Sequence, residues 1–235
     1  MVVYPKKEKH LGPLEKLYSE FGDIWVWIAF DPRNKIVVAF VAGKRQLPEA
    51  EELLQKVFTR TDTTTPFFTS DELKHYKDAL LKVYGVQEVV EPTGKRGRPR
   101  KPKVHPVEDL DYAVVHKERK KGRVVRVTTR VVFGSPERIE QKLENSPVSS
   151  HVNTSFVERN NLSIRAGGAR FTRKSLCFSK RKKLLIDFLN IYFGYYHLCR
   201  PHRGCSNDGE KRTPFMSAGF TDHIWTIKEV MNYKI

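Results

Sequence analysis

Two runs rich in β-branched and aromatic residues dominate the first part of the chain: Ile24-Trp25-Val26-Trp27-Ile28-Ala29-Phe30 and Lys35-Ile36-Val37-Val38-Ala39-Phe40-Val41. The turn residues Asp31-Pro32-Arg33-Asn34 join them, so the pattern predicts a β-hairpin, and its unbroken apolarity predicts burial on both faces. Ahead of it, Met1-Val2-Val3-Tyr4 reads as the tail of a strand that runs into a basic turn at Lys6, Lys7 and Lys9. Pro48 suits the first turn of a helix reaching about residue 59, with Leu53, Leu54, Val57 and Phe58 on one side. Pro66-Phe67-Phe68-Thr69 then reads as a short strand, and Ser70-Asp71 opens a helix to about residue 81. The order strand, strand, helix, strand, helix predicts an α/β fold with a mixed sheet flanked by helices.

Residues 91–109 interrupt this rhythm. Pro, Gly and like charges in Glu91-Pro92-Thr93-Gly94-Lys95-Arg96-Gly97-Arg98-Pro99-Arg100-Lys101 oppose regular structure, so an extended, mobile segment is expected. A second hairpin follows, with arms at 112–117 and 124–133 turning at Lys120-Lys121-Gly122-Arg123. A helix capped by Ser135 with Pro136 at its first position comes next. Thr154-Ser155-Phe156-Val157-Glu158-Arg159-Asn160-Asn161-Leu162-Ser163-Ile164-Arg165 repeats its apolar residues (Phe156, Val157, Leu162, Ile164) at helical spacing, with Gly167-Gly168 to end it. Residues 180–198 predict a long apolar helix, and the tail around Trp225 a final short one. Composition therefore divides the chain into 1–90, an insertion at 91–109, and 110–235.

Charge changes the picture from fold to partner. The chain of 235 residues carries 43 Lys+Arg against 27 Asp+Glu, a net +16. Such an excess favours a polyanion, because each neutralised phosphate releases condensed counterions. A spanning helix needs about 20 apolar residues, and no segment approaches that, so no membrane partner is expected. No apolar run follows the early lysines, which argues against a signal peptide. The three cysteines, Cys177, Cys199 and Cys205, form no disulfide framework, so a reducing cytoplasm is expected.

Two acids stand out against this basic background. Glu158 shares a helical face with Asn161 and lies a turn or two from Arg165. It is either a metal-holding carboxylate or a surface glutamate in an ion pair. Asp71 sits where a strand gives way to a helix, a place where α/β folds put their sites and also where helix caps occur. Two carboxylates suit Mg²⁺, which takes a few hard oxygens plus water and substrate phosphate. A two-ion phosphodiester site would need a third acid.

Three further patterns bear on binding. The Gly-Arg-Pro core of Arg96-Gly97-Arg98-Pro99-Arg100-Lys101 is AT-hook-like, a slim backbone that inserts arginines into a narrow A·T minor groove; a solvated basic linker is the alternative. The hairpin arms carry Arg123, Arg126 and Arg130, able to follow a phosphate backbone or merely to face solvent. His197, Cys199, His202 and Cys205 fit no paired zinc-ligand spacing.

Taken together these pieces resemble the transposases of the IS-one insertion-sequence family. The resemblance rests on Trp25-Val26-Trp27-Ile28-Ala29-Phe30-Asp31, Thr69-Ser70-Asp71, Phe156-Val157-Glu158-Arg159-Asn160-Asn161-Leu162, Arg173-Lys174-Ser175-Leu176-Cys177-Phe178-Ser179-Lys180 and Tyr195-Tyr196-His197-Leu198-Cys199-Arg200. It implies an RNase H-like catalytic domain with a DDE triad, Mg²⁺ (or Mn²⁺) as cofactor, and transposon-end and target duplex DNA as partner. It also implies a homo-oligomer assembled on DNA, in the cytoplasm at the nucleoid. Asp71 resembles the second triad acid and Glu158 the third, with Arg159 and Arg165 beside the latter as DNA contacts. Glu72 stands where relatives usually have Gly. The family carries its first acid in an Asp-Glu-x-Trp motif just before a lysine-rich stretch, where this chain has only Met1 to Pro5. A truncated first strand without that acid is therefore expected, and the N-terminal zinc-binding and helix-turn-helix segments of relatives are not in this sequence. Asp31 is a poor substitute, because Asp-Pro-Arg-Asn is good turn chemistry by itself. Two functions follow from the resemblance: a strand-cutting and strand-transferring transposase domain, or a catalytically silent remnant that only binds DNA.

Overall fold

The computed structural model describes residues 2–3, 10–14, 23–61, 65–89, 102–171, 177, 179, 181–207 and 209–233. In chain order its strands are β1 (Val2–Val3), β2 (Asp23–Asp31), β3 (Ile36–Gly43), β4 (Phe68–Asp71), β5 (Gly85–Gln87), β6 (Val104–Pro106), β7 (Tyr112–Lys120) and β8 (Arg123–Phe133). The α-helices are α1 (Leu47–Phe58), α2 (His75–Tyr84), α3 (Pro136–Glu144), α4 (Ser155–Gly167), α5 (Lys182–Leu198), α6 (Pro214–Ser217) and α7 (Ile227–Asn232). This is a mixed α/β fold with open sheets. Instead of one mixed sheet, the described strands form three: β1-β2-β3, β4-β7-β8 and β5-β6. The chain divides into two compact units, one made of Met1–Arg45 with Ser155–Ile235 and the other of Gln46–Thr154. The linear division at 91–109 follows composition, whereas compactness follows pairings between distant segments.

In the first unit, β2 and β3 pair antiparallel through the tight turn, with an irregularity between Ala29 and Phe30. Asp31 shapes the turn: its carboxylate accepts from the Arg33 amide (2.8 Å), the Asn34 amide and the Asn34 side chain (2.8 Å). One hairpin face packs Ile24, Val37 and Ala42 against Ile164 of α4 and Leu185, Leu189 and Phe193 of α5. On the opposite face Trp27, Ala39 and Val41 are buried too. Burial on both faces holds for most of β3, but Trp25, Val26, Ile28, Ala29 and Phe30 of β2 are only half-buried. Side chains of α5 also clamp the start of β3. The His197 Nε2 accepts from the Val37 amide (3.0 Å), and the Tyr196 hydroxyl donates to the Lys35 carbonyl (2.9 Å).

The second unit is centred on β7, whose Tyr112, Ala113, Val114 and Val115 are all buried. β4 runs parallel to it on one side and β8 antiparallel on the other. Buried Asp111, just before β7, receives Arg138 through Nε (2.9 Å) and Nη2 (2.5 Å) and Lys142 (2.6 Å), both on α3. Arg138 and Lys142 are four apart and therefore share a helix face. Gly134, at φ +90, passes so close that a Cβ there would lie 2.0 Å from the Asp111 Oδ1. Ser135 caps α3 through the Arg138 amide. Part of the expected mobile insertion is regular: β6 pairs antiparallel with β5, continued by the Glu88 amide to the Lys103 carbonyl. Pro106 is tolerated there because it closes a short edge strand.

Candidate active site and nucleic-acid surface

Asp71 is the last residue of β4, opposite Val115, with its side chain exposed. The strand runs two residues further than the sequence suggests, and α2 begins only at His75. Lys74 occupies the cap position, with no side-chain cap bond. The capping alternative for Asp71 is thereby removed. Around it the Ser70 hydroxyl donates to the Asp71 carbonyl (2.6 Å) and lies 2.7 Å from the Tyr112 hydroxyl. Since serine has one proton to give, Tyr112 donates to Ser70. Burial, with the Asp71 and Glu72 charges adding to it, pushes the Tyr112 phenol upward. The neighbouring Glu72 is occupied: His116 Nδ1 lies 2.5 Å and Arg130 Nη2 3.0 Å from its carboxylate. That role ties the end of β4 to both β7 and β8.

Glu158 lies in the first turn of α4, where the helix dipole favours an anion. It is exposed together with Arg159, Leu162 and Arg165. Positions 158, 162 and 165 run along one solvent face, whereas Asn160 and Ile164 are the buried pair. The expected apolar stripe is thus corrected at Leu162, which is 54% exposed. The polar Asn160 takes the inward position a turn before Ile164 instead. Glu158 and Asp71 belong to different compact units. As exposed hard-oxygen donors, both suit Mg²⁺ by chemistry. Among the described residues no three His, Cys, Asp or Glu side chains gather as a metal-holding group.

His197, His202 and Cys205 of the His and Cys set make structural contacts. His197 is 6% exposed, stacks on Phe215 at 4.8 Å, and has its Nε2 lone pair occupied by the Val37 amide. Burial drives its pKa down to about 4, so the ring is neutral. His202 accepts the Gly204 amide at Nδ1 (3.0 Å). Cys205 is buried with its Sγ 3.6 Å from the Asn34 carbonyl, and that burial raises its thiol pKa.

The second hairpin is longer than its sequence signal. Both Lys121 (φ +48) and Gly122 (φ +79) are left-handed, the requirement of the tight two-residue turn that matches strand twist. From Arg123 to Arg130 every side chain is exposed. The AT-hook-like residues Arg96, Gly97, Arg98, Pro99, Arg100 and Lys101 lie outside the described residues. The Asp111–Arg138–Lys142 cluster and the Glu72–His116–Arg130 bridge were not apparent from sequence, because both join segments far apart in the chain. The only local sign was the four-residue spacing of Arg138 and Lys142. No helix among the described residues is long and apolar enough to cross a membrane. No protein-family model, curated protein or solved structure matches the chain.

Proposed function

We propose that this chain is the RNase H-like catalytic domain of a DNA transposase of the IS-one insertion-sequence family, cutting and transferring DNA strands when an insertion element moves. The observation that carries the reading is the setting of Asp71: a solvent-facing carboxylate closing a parallel strand, with no capping duty to account for it. Glu158, exposed on α4 ahead of the exposed Arg159 and Arg165, supports it. The order of elements supports the fold assignment: an antiparallel hairpin, a helix, a strand ending in Asp71, a helix, and a later helix bearing Glu158.

In this reading Asp71 and Glu158 would each offer a carboxylate to Mg²⁺ or Mn²⁺, which would supply charge stabilisation at the phosphodiester and lower the pKa of an attacking oxygen. Arg159 and Arg165 hold the DNA backbone beside Glu158 by charge-assisted contacts. Residues 96–101 add salt-sensitive affinity for A·T-rich duplex. The partners are transposon-end and target duplex DNA and further copies of the chain assembled on it, at the nucleoid.

A second reading, a DNA-binding protein without strand cleavage, is favoured by the sequence offering two candidate acids where a two-ion site takes three, and by the basic second hairpin, which needs neither acid to engage DNA. Nicking of supercoiled plasmid in Mg²⁺ or Mn²⁺ separates the two. On the catalytic reading the wild-type chain nicks, and Asp71→Asn lowers the rate about a thousand-fold, the equivalent of several kcal/mol of lost charge stabilisation. Plasmid binding without nicking by the wild-type chain would leave the second reading.

A further inference from the structure

The second hairpin has a feature that catalysis does not use. β4 stops at Asp71 opposite Val115, so beyond that point β7 has no described neighbour on its outer side. β8 forms the other edge of the sheet along its whole length. Residues 116–128 are therefore a two-stranded ribbon, exposed throughout except for half-buried Lys117. A free ribbon of this kind is marginal by itself, yet here it carries mutually repelling charge. Arg119, Lys120, Lys121, Arg123 and Arg126 accompany a single acid of the ribbon, Glu118, which stands opposite Arg126. Lys120 stands directly opposite Arg123, and Lys121 forms the turn between them. Directly opposed like charges cost a few tenths of a kcal/mol to about 1 kcal/mol, a cost that an external polyanion would offset. Val124, Val125 and Val127 lie exposed between the arginines at 45%, 52% and 54%.

We propose that residues 116–128 are a DNA-gripping arm, a basic ribbon that lies in the major groove of duplex DNA with its cations on the flanking phosphates. Charge complementarity names the partner, and size agrees. Five residues of β7 from His116 span about 17 Å at ~3.3 Å per residue. A B-form major groove is about 12 Å wide and 8.5 Å deep, and admits a two-stranded ribbon. The irregularity between Glu118 and Arg119 adds local twist, which helps a ribbon follow a helical groove. The proposal shares with the transposase reading only its choice of duplex DNA as partner; it requires neither acid nor metal.

The test is the affinity of the full chain for a short duplex, by fluorescence anisotropy in EDTA, between about 50 and 200 mM salt. Combined Arg119→Gln, Lys120→Gln, Arg123→Gln and Arg126→Gln is expected to make the log–log salt slope shallower by about 3 to 4, since each phosphate contact contributes about 0.9. The same chain with Arg119→Lys, Arg123→Lys and Arg126→Lys should keep its slope and melt with the wild type, and the glutamine variant should melt no lower than the wild type. An unchanged slope in the glutamine variant overturns the proposal. So does tighter charge-dependent binding to single-stranded RNA or to phosphatidylserine vesicles than to duplex. Self-association abolished by Val124→Thr with Val127→Thr would assign the ribbon to a second copy of the chain and also overturn it. Because no divalent ion is present, a chain that binds through the ribbon but never cuts DNA would remove the catalytic reading and leave this one standing.

Discussion

At the scale of single residues, burial decides what a titratable group can do. His197 belongs in the sequence to a His and Cys set without zinc-ligand spacing, and the fold makes it an acceptor for the Val37 amide inside an aromatic stack. Its pKa of about 4 lies below the ordinary value of 6.5. An unfolded chain therefore takes up a proton below pH 6.5 that the folded chain refuses until about pH 4. The stability linked to His197 is complete above pH 6.5 and is lost as pH falls toward 4, by roughly 3 kcal/mol at most. Urea unfolding at several pH values should show this acid slope, and His197→Gln should flatten it; an identical slope in the variant would contradict the assignment. Asp31 illustrates the opposite case. Its turn chemistry was legible because an Asx turn needs only the next three residues, and its oxygens take the Arg33 and Asn34 donors as local chemistry demands.

At the scale of elements, local signals located helices and hairpins well and misjudged their faces and ends. The turn at Lys121-Gly122 and nearly all of β8 were readable from the sequence, whereas the last three residues of β7 were not, because exposed basic positions lack the alternation that marks a half-buried strand. α4 was expected to bury an apolar stripe, but Asn160 occupies the inward position and Leu162 points to solvent. β6 was hidden by its Pro- and Lys-rich surroundings, since a three-residue edge strand needs only a partner and no pattern. The α3 helix shows an element held by distant chemistry. Burial alone would raise the Asp111 pKa, but the hydrogen bonds and charges of Arg138 and Lys142 outweigh it and hold the carboxyl below its usual value. This contribution is present above the ordinary Asp range and is lost as pH falls through the lowered value. Asp111→Asn at neutral pH should cost about 2 to 3 kcal/mol, the worth of hydrogen bonds to charged groups, read as a drop in the urea midpoint. A loss below a few tenths of a kcal/mol would show that α3 docks without the cluster.

At the scale of the whole molecule, the chain is two compact units that its sequence interleaves. Residues 110–235, a natural cut by composition, contain α4 and α5 but none of the β2–β3 hairpin on which Ile164, Leu185, Leu189 and Phe193 pack. Expressed alone, that segment should lack the cooperative melting of the full chain; a sharp transition by circular dichroism would contradict the observed core. Charge, by contrast, was legible at this scale from the first count of residues, and it is the common ground of both functional readings. Asp71 and Glu158 are candidate acids by their place in the sequence, and the fold adds that both are solvent-facing and that Asp71 caps nothing. The most direct test of the catalytic claim is strand transfer, with Mg²⁺, of a duplex end taken from the DNA flanking the coding sequence and bearing a free 3′-hydroxyl. The account predicts joined product from the wild-type chain, and a loss of about a thousand-fold in both Asp71→Asn and Glu158→Gln with duplex affinity in EDTA unchanged. Joined product formed equally well by the double variant, or none formed by a wild-type chain that binds the duplex, would contradict it.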